Sequence, residues 1–296
     1  MRCVELLAAQ DCERFEIILV LNGPANEIFA RSVSHLPVRL LNEPRRGVSN
    51  ARNHAIPYAK GEILAFVDDD VLTEPNWLHE LVTGFEDPAV ACVTGRVIPA
   101  GPLYLASERA SRYYTSERAL TAWSLDASDS NWYQYILGEP VGFGCNMAFR
   151  KSFLERHSLF PGDLGAGSLI GACDEFYMFV QVIKRGFRIR HVPSAAVTHL
   201  FEADVGKQKL RGAQLYAGGV AFALKLFTEE KTLRWATIRW LLAGFRRRAR
   251  LILAQKTISS EPQELLSPRE KLRAYLRGLR VFWKSRRSKD SAALPP

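Results

Sequence analysis

Short apolar runs and helix-spaced segments alternate along the N-terminal third of the chain. FEIILVL (Phe15–Leu21), VRLLNEP (Val38–Pro44), EILAFVDDD (Glu62–Asp70) and AVACVTGRVI (Ala89–Ile98) each read as strands. The first is a continuous apolar run with β-branched residues, which predicts a buried strand of a parallel sheet. NEIFARSVSHL, SNARNHAIPYA (Ser49–Ala59) and NWLHELVTGF (Asn76–Phe85) lie between them with helical spacing; Ser49 is the expected N-cap of the second, and Gly61 ends it. Strands alternating with helices of this length predict βαβ units. The expected α/β fold is a doubly wound, mostly parallel sheet with helices on both faces.

Residues 101–135 break the rhythm with an amphipathic stretch, LASERASRYYTSERALTAW, read as a helical insertion. VGFGCNMAFRKSFLERH (Val141–His157) resumes with a Gly-rich bend, a short strand and a helix. PGDLGAGSLIGA (Pro161–Ala172) is a long Gly-rich loop, and loops of that length are often functional. DEFYMFVQVIKRG (Asp174–Gly186) predicts a helix with Gly186 at C′, and FRIRHVPSAAVTH a last pair of strands. Beyond them the charge changes sign. Residues 1–204 hold 19 Lys and Arg against 25 Asp and Glu, a net of −6, whereas residues 205–296 hold 21 against 6, a net of +15. RWATIRWLLAGFRRRARLILAQ and EKLRAYLRGLRVFWKSRRS are basic helices with Trp, Leu and Phe along one side, the pattern of interfacial membrane helices. The closing SKDSAALPP predicts disorder.

Five scattered cysteines with no CxxC pair argue against a disulfide framework or a structural zinc site and fit a reduced, cytosolic chain. No charge-free stretch reaches the roughly 18 residues a spanning helix needs, and Glu5 and Asp11 interrupt any signal-peptide core. The basic tail asks for an anionic partner. No nucleic-acid reader motif or stacking platform accompanies it. The expectation is therefore an anionic membrane surface, met by residues 230–288 at the cytosolic face, and no nucleic acid.

Asp68-Asp69-Asp70 at the end of an apolar strand is the strongest local chemical signal. In open α/β sheets ligands bind at strand C-termini. Three adjacent carboxylates repel one another, and a hard divalent cation relieves that repulsion. Strand alternation would send Asp68 and Asp70 one way and Asp69 the other. The alternative is a solvated acidic turn ahead of the Asn76 helix.

With these residues in hand, GVSNARNHAIPYAKGEILAFVDDDVLTEPNWL resembles the nucleotide-sugar-binding half of the inverting glycosyltransferases of family 2, which have a GT-A fold. The likeness lies in the Gly47-x-Ser49-x-x-Arg52-Asn53 helix start, the Gly61-Glu62 turn, the apolar strand running into a DxD-type motif, and Pro75, Trp77 and Leu78. GFGCNMAFRKSFLE resembles the family's acceptor-side segment, and DEFYMFVQVIKRGFRIRHVPSAAVTH its catalytic-base helix, following strand and terminal His. The resemblance covers roughly residues 1–225. Two departures stand out. The chain opens inside the helix that follows the family's usual first strand, and Leu21-Asn22 stand where the family's second strand ends in Asp.

The resemblance implies a nucleoside-diphosphate sugar donor, Mg²⁺ or Mn²⁺, and a hydroxyl acceptor on a glycan or glycolipid. It implies that Asn22, Gly47, Arg52, Asn53, Asp68 and Asp69 bind the donor. Asp70, Asp68 and His199 would hold the metal. Glu175 aligns with the usual base and Asp174 with the acidic residue before it, in reversed order; both are carried as candidates. Gly144 and Asn146 fall on the acceptor side. From the residues alone, Asp174 reads as an N-cap and Glu175 as a first-turn dipole partner. The expected division is a nucleotide-sugar half at 1–100, an acceptor and catalytic half at 101–204, and a basic helical tail at 205–290. Two other readings are a catalytically impaired transferase that binds membrane surfaces, and a nucleotidyltransferase, although the latter's Gly-rich phosphate loop is missing.

Overall fold

A computed structural model describes residues 2–100, 114, 116–138, 141–200, 204–253 and 266–292. Residues 101–113 and 115 of the 101–135 insertion and the last residues of the tail lie outside these. The chain runs α1 (Arg2–Ala8), β1 (Ile17–Asn22), α2 (Glu27–Val33), β2 (Val38–Glu43), α3 (Val48–Ala55), β3 (Ile63–Val67), β4 (Val71–Thr73), α4 (Trp77–Thr83) and β5 (Val90–Ala100). It continues through α5 (Glu117–Leu120), β6 (Trp123–Leu125), α6 (Trp132–Gly138), β7 (Asn146–Arg150), α7 (Lys151–Arg156), α8 (Asp174–Lys184) and β8 (Arg188–Leu200). Three helices follow: α9 (Val205–Glu229), α10 (Arg234–Leu253) and α11 (Pro268–Ala292).

The sheet is mixed. β1 and β2 pair in parallel, from Ile17 beside Val38 to Asn22 beside Glu43. The other strands form a six-stranded sheet in the order β3-β7-β5-β8-β4, with β6 also on β8. β5 and β8 are parallel, while β3–β7, β5–β7, β4–β8 and β6–β8 are antiparallel. Among the described residues β1 pairs with β2 alone and β3 with β7 alone. A cavity of about 2260 Å³ is lined by residues of both strands. This explains why β1 is half-buried along most of its length rather than buried on both faces.

Side-chain alternation along β7 distributes two cores. Met147 and Phe149 join a core made with Phe153, Phe160, Met178, Phe179 and Phe222. Ala148, one residue out of phase, joins Trp77, Leu81, Val93 and Val197 on the opposite face. Helices therefore cover both faces, α4 on one and α7, α8 and α9 on the other.

Several boundaries differ from the sequence reading. Helix α3 begins after Gly47, which takes φ +124°, so Ser49 is not its cap. Ser49 is buried and donates to the Leu164 carbonyl at 3.0 Å. Pro57, lacking an N–H, lies inside a 3₁₀ turn, Ile56–Tyr58, that replaces continued α-helix. The expected last pair of strands is one 13-residue strand, β8. Its mismatch with β5 is absorbed as a register shift between Gly95 and Val97 instead of a turn. SKDSAALPP continues α11 as far as Ala292.

The C-terminal helices pack on the body. Ala221, Phe222 and Leu226 of α9 and Phe282 of α11 are part of the larger core. α11 lies directly against α9 at Gly278, where an added Cβ would meet the Ala217 carbonyl oxygen at 2.5 Å. Among the described residues no helix is long and apolar enough to cross a membrane.

Candidate active site

The acidic triplet is a turn between β3 and β4, not a strand end. Strand alternation therefore does not sort its side chains. Asp68 is partly buried, and Asp69 and Asp70 are exposed. β4 pairs with β8 so that Val71 lies beside His199. Asp70 Oδ1 consequently stands 3.6 Å from His199 Nε2. Partial loss of water on its inner side, followed by the charges of Asp68 and Asp69, raises the Asp70 carboxyl above its ordinary range, although His199 works against this.

On the other side of the cavity, α8 starts at Cys173, a non-glycine residue in the left-handed region at φ +70°. Such a residue is held in place only by its surroundings. Asp174 is therefore the first residue of the helix proper and not its cap, and it is buried. Glu175 follows it into the cavity wall. Its carboxyl is pushed up to about 8, first by removal from water and then by the neighbouring Asp174 carboxylate.

Arg52 joins the two acidic sites. Its side chain is only 8% exposed. Nη1 donates to Asp174 Oδ2 at 2.7 Å, and Nη2 donates to Asp68 Oδ1 at 3.1 Å and to the Gly144 carbonyl at 2.8 Å. Burial works against the charge, and Asp174, Asp68 and Glu175 more than offset it.

Other expected donor and acceptor residues have structural partners instead. Asn146 is fully buried on β7: its amide donates to the Arg96 and Ala195 carbonyls, both at 2.8 Å, and its oxygen accepts from Trp77 Nε1 at 2.9 Å. Its hydrogen-bonding capacity is committed to the core, so it does not face an acceptor sugar. The Asn53 amide pairs both ways with the Phe160 backbone, donating at 2.7 Å and accepting at 2.9 Å. Asn22 tethers the loop before α3 by donating to the Glu43 and Arg45 carbonyls and accepting from Gly47 N–H. Gly47 serves the turn itself, where its positive φ requires glycine. At the start of α3, Val48 N–H donates to the Ala166 carbonyl at 2.9 Å. Gly144 contributes its carbonyl, and a Cβ there would press on Arg52 Nη2 at 3.0 Å.

The sequence reading missed the walls supplied by α9 and α10. Arg211, Leu215, Tyr216 and Trp240 line the same cavity as Asp68–Asp70, Glu175 and His199. The apolar spacing of QLYAGGVAFALKLF was the available signal for α9. Lys225 of α9 and Ser285 of α11 both donate to Asp163 in the Gly-rich loop, at 3.5 and 2.9 Å. These contacts tie the tail to the Gly-rich loop, whose Ala166 and Gly167 line the cavity.

The donor set around Asp70 fits a divalent cation in part. It offers a carboxylate under like-charge pressure beside an imidazole, with phosphate ligands left for a substrate to supply. Among the described residues no three His, Cys, Asp or Glu side chains form a metal cluster by themselves.

The chain is 28% identical over 196 residues to the putative glycosyltransferase EpsH of Bacillus subtilis, covering 60% of this chain and 50% of that protein. It is 27% identical over 159 residues to the glucosyl-dolichyl phosphate glucuronosyltransferase of Haloferax volcanii, covering 51% and 48%. The crystal structure of a mycobacterial protein superposes with a TM-score of 0.48 at 16% identity, over 74% of this chain and 69% of that one. The chain spans about half the length of the curated relatives it matches. The sequence model described as glycosyl transferase family 2 matches residues 1–158, more than half of the chain. This chain belongs to glycosyltransferase family 2.

Proposed function

We propose that the chain is a metal-dependent inverting glycosyltransferase that moves a sugar from a nucleoside-diphosphate sugar to a hydroxyl acceptor. The observation that carries the reading is the convergence of Asp68–Asp70 and Asp174–Glu175 on one cavity, bridged by Arg52. Arg52 already engages Asp174, which leaves Glu175 as the base. Glu175 takes the acceptor's hydroxyl proton, the freed oxygen bonds to the anomeric carbon, and the bond from that carbon to the diphosphate breaks with its electron pair on the departing oxygen. Asp70 and His199 are the residues that would hold Mg²⁺ or Mn²⁺. The ion would supply charge neutralisation for the leaving diphosphate.

The acceptor class is a glycan or glycolipid of the cell envelope or a surface polysaccharide. The working location is the cytosolic membrane face, where the basic helices give peripheral attachment. One observation favours a second reading, an impaired transferase retained as a membrane-surface binder: β1 and β3 each have one strand partner among the described residues.

Calorimetry with UDP, GDP, dTDP and their sugars, with and without Mn²⁺, separates the two. The transferase reading expects Mn²⁺-dependent binding of one nucleotide by the wild-type chain and its loss in Asp70→Asn. A folded chain that binds none of them supports the second reading.

A further inference from the structure

The guanidinium of Arg52 has three acceptors from three separate parts of the chain. Asp68 ends the β3 side of the donor turn, Gly144 lies in the bend before β7, and Asp174 opens the helix that carries Glu175. Phe160 and Phe66 flank the group, with its central carbon 5.5 and 5.9 Å from their ring centroids. Two features around it leave room for this arrangement and no more. A Cβ on Gly144 would lie 3.0 Å from Nη2, and one on Gly165 would lie 2.9 Å from the Asp174 carboxyl.

A planar fork has divergent N–H groups at fixed angles, whereas an ammonium is a point charge that cannot set two carboxylates at one separation. Three of the five guanidinium N–H groups of Arg52, including both on Nη2, are engaged within the protein, and the side chain is only 8% exposed. We infer that Arg52 is a positioning residue rather than a donor ligand: it is a rigid strut that fixes Asp68 relative to Asp174, and through them the donor turn relative to Glu175. This rests on the transferase reading above. Its consequence is that the attacking hydroxyl and the anomeric carbon keep their alignment because one side chain spans both halves of the site.

Arg52→Lys tests this directly, because it keeps the buried positive charge and removes the fork. Three quantities are compared with wild type: melting temperature, calorimetric affinity for the nucleotide that the panel identifies, and release of nucleoside diphosphate from the matching sugar nucleotide with water as acceptor. The strut predicts nucleotide affinity within a few-fold of wild type and a release rate lower by about 100-fold, the cost typical of misplacing reacting groups by an ångström. A release rate close to that of wild type overturns it, because the lysine keeps the charge and not the fork. So does a loss of nucleotide affinity in step with the rate, which would make Arg52 a donor ligand.

If Arg52→Lys melts early, Arg52→Gln combined with Asp174→Asn leaves no charge unpaired between these two positions and is compared with Asp174→Asn alone. A further fall in rate at unchanged affinity supports the strut, and equal rates overturn it. A wild-type chain that binds no nucleotide and releases none defeats the transferase reading itself, a result distinct from either of these.

Discussion

Glu175 is the residue on which pH should act most visibly. Its carboxyl is pushed up from 4.5 to about 8 by loss of water and by Asp174. A base works only when ionised, so turnover should rise with pH through about 8 and level off above it, and Glu175→Gln should lower it by about 10²–10⁴-fold. The same shift affects stability. The folded state binds this proton more tightly than the unfolded chain, so the contribution is fully present below the ordinary value of 4.5 and is lost as pH rises through about 8. Urea unfolding at several pH values should show that decline in wild type and a flatter profile in Glu175→Gln. Asn146 is a second case with the opposite character. Asn146→Ala would leave Trp77 Nε1 and two buried carbonyls without a partner, and should cost at least about 2 kcal/mol in urea unfolding. The sequence could not separate these two roles. Asp68–Asp70 were legible because an apolar strand runs straight into them. Asn146 lies in a segment that resembles an acceptor site, and only its register on β7 turns the amide toward Trp77. Arg52 was visible as a functional position, but its partner Asp174 is 122 residues away, and no local pattern encodes a contact at that range.

At the scale of elements, the β5–β8 pair is the spine of the sheet and Gly95 is its tightest point. A Cβ there would fall 2.0 Å from the Ala195 carbonyl oxygen and 2.5 Å from the Asn146 amide. Backbone cannot yield to that, so Gly95→Ala should destabilise by about 1–3 kcal/mol or more, read by urea unfolding. Hydrogen exchange should follow the pairing, with amides of β5 and β8 slowest and those of the two-stranded β1–β2 sheet fastest. Equal protection of both sheets would contradict this. Four strands were legible as apolar runs bounded by Gly, Pro and Asp, which have few other solutions, whereas the three-residue β4 and β6 were not, and Trp123 of β6 falls in the stretch read as helical. Strand pairing was not. Periodicity reports which face is buried and says nothing of the neighbour, so the antiparallel partners of β7 were invisible, as was the continuous β8 that passes through Pro193. Helix α3 was located but its cap was misread, because Gly47 takes a positive φ that frees Ser49 to bind Leu164.

The whole molecule is electrically polar, with a net of −6 over residues 1–204 and +15 over residues 205–296. The structure sorts the tail's apolar residues into two sets. Ala274, Tyr275 and Phe282 face inward, whereas Trp235, at 78%, and Trp283, at 61%, face outward. The exposed set is patterned. Trp235, Arg239, Leu242 and Arg246 form one exposed stripe on α10, and Leu276, Arg280, Trp283 and Arg287 repeat the same spacing on α11. Alternating apolar and guanidinium groups along a helix face suit the boundary between acyl chains and anionic headgroups. Each basic residue near such a surface contributes about 1 kcal/mol, weakened by salt. The chain should therefore float with vesicles containing phosphatidylserine, release as salt rises, and bind phosphatidylcholine vesicles poorly. Trp235→Ser with Leu242→Ser and Trp283→Ser should abolish flotation while leaving the melting temperature nearly unchanged, because all three side chains are exposed. Flotation that survives the triple variant would assign attachment to charge alone. Absence of flotation by the wild-type chain at low salt would leave these stripes free for another partner and remove the membrane from the proposed setting.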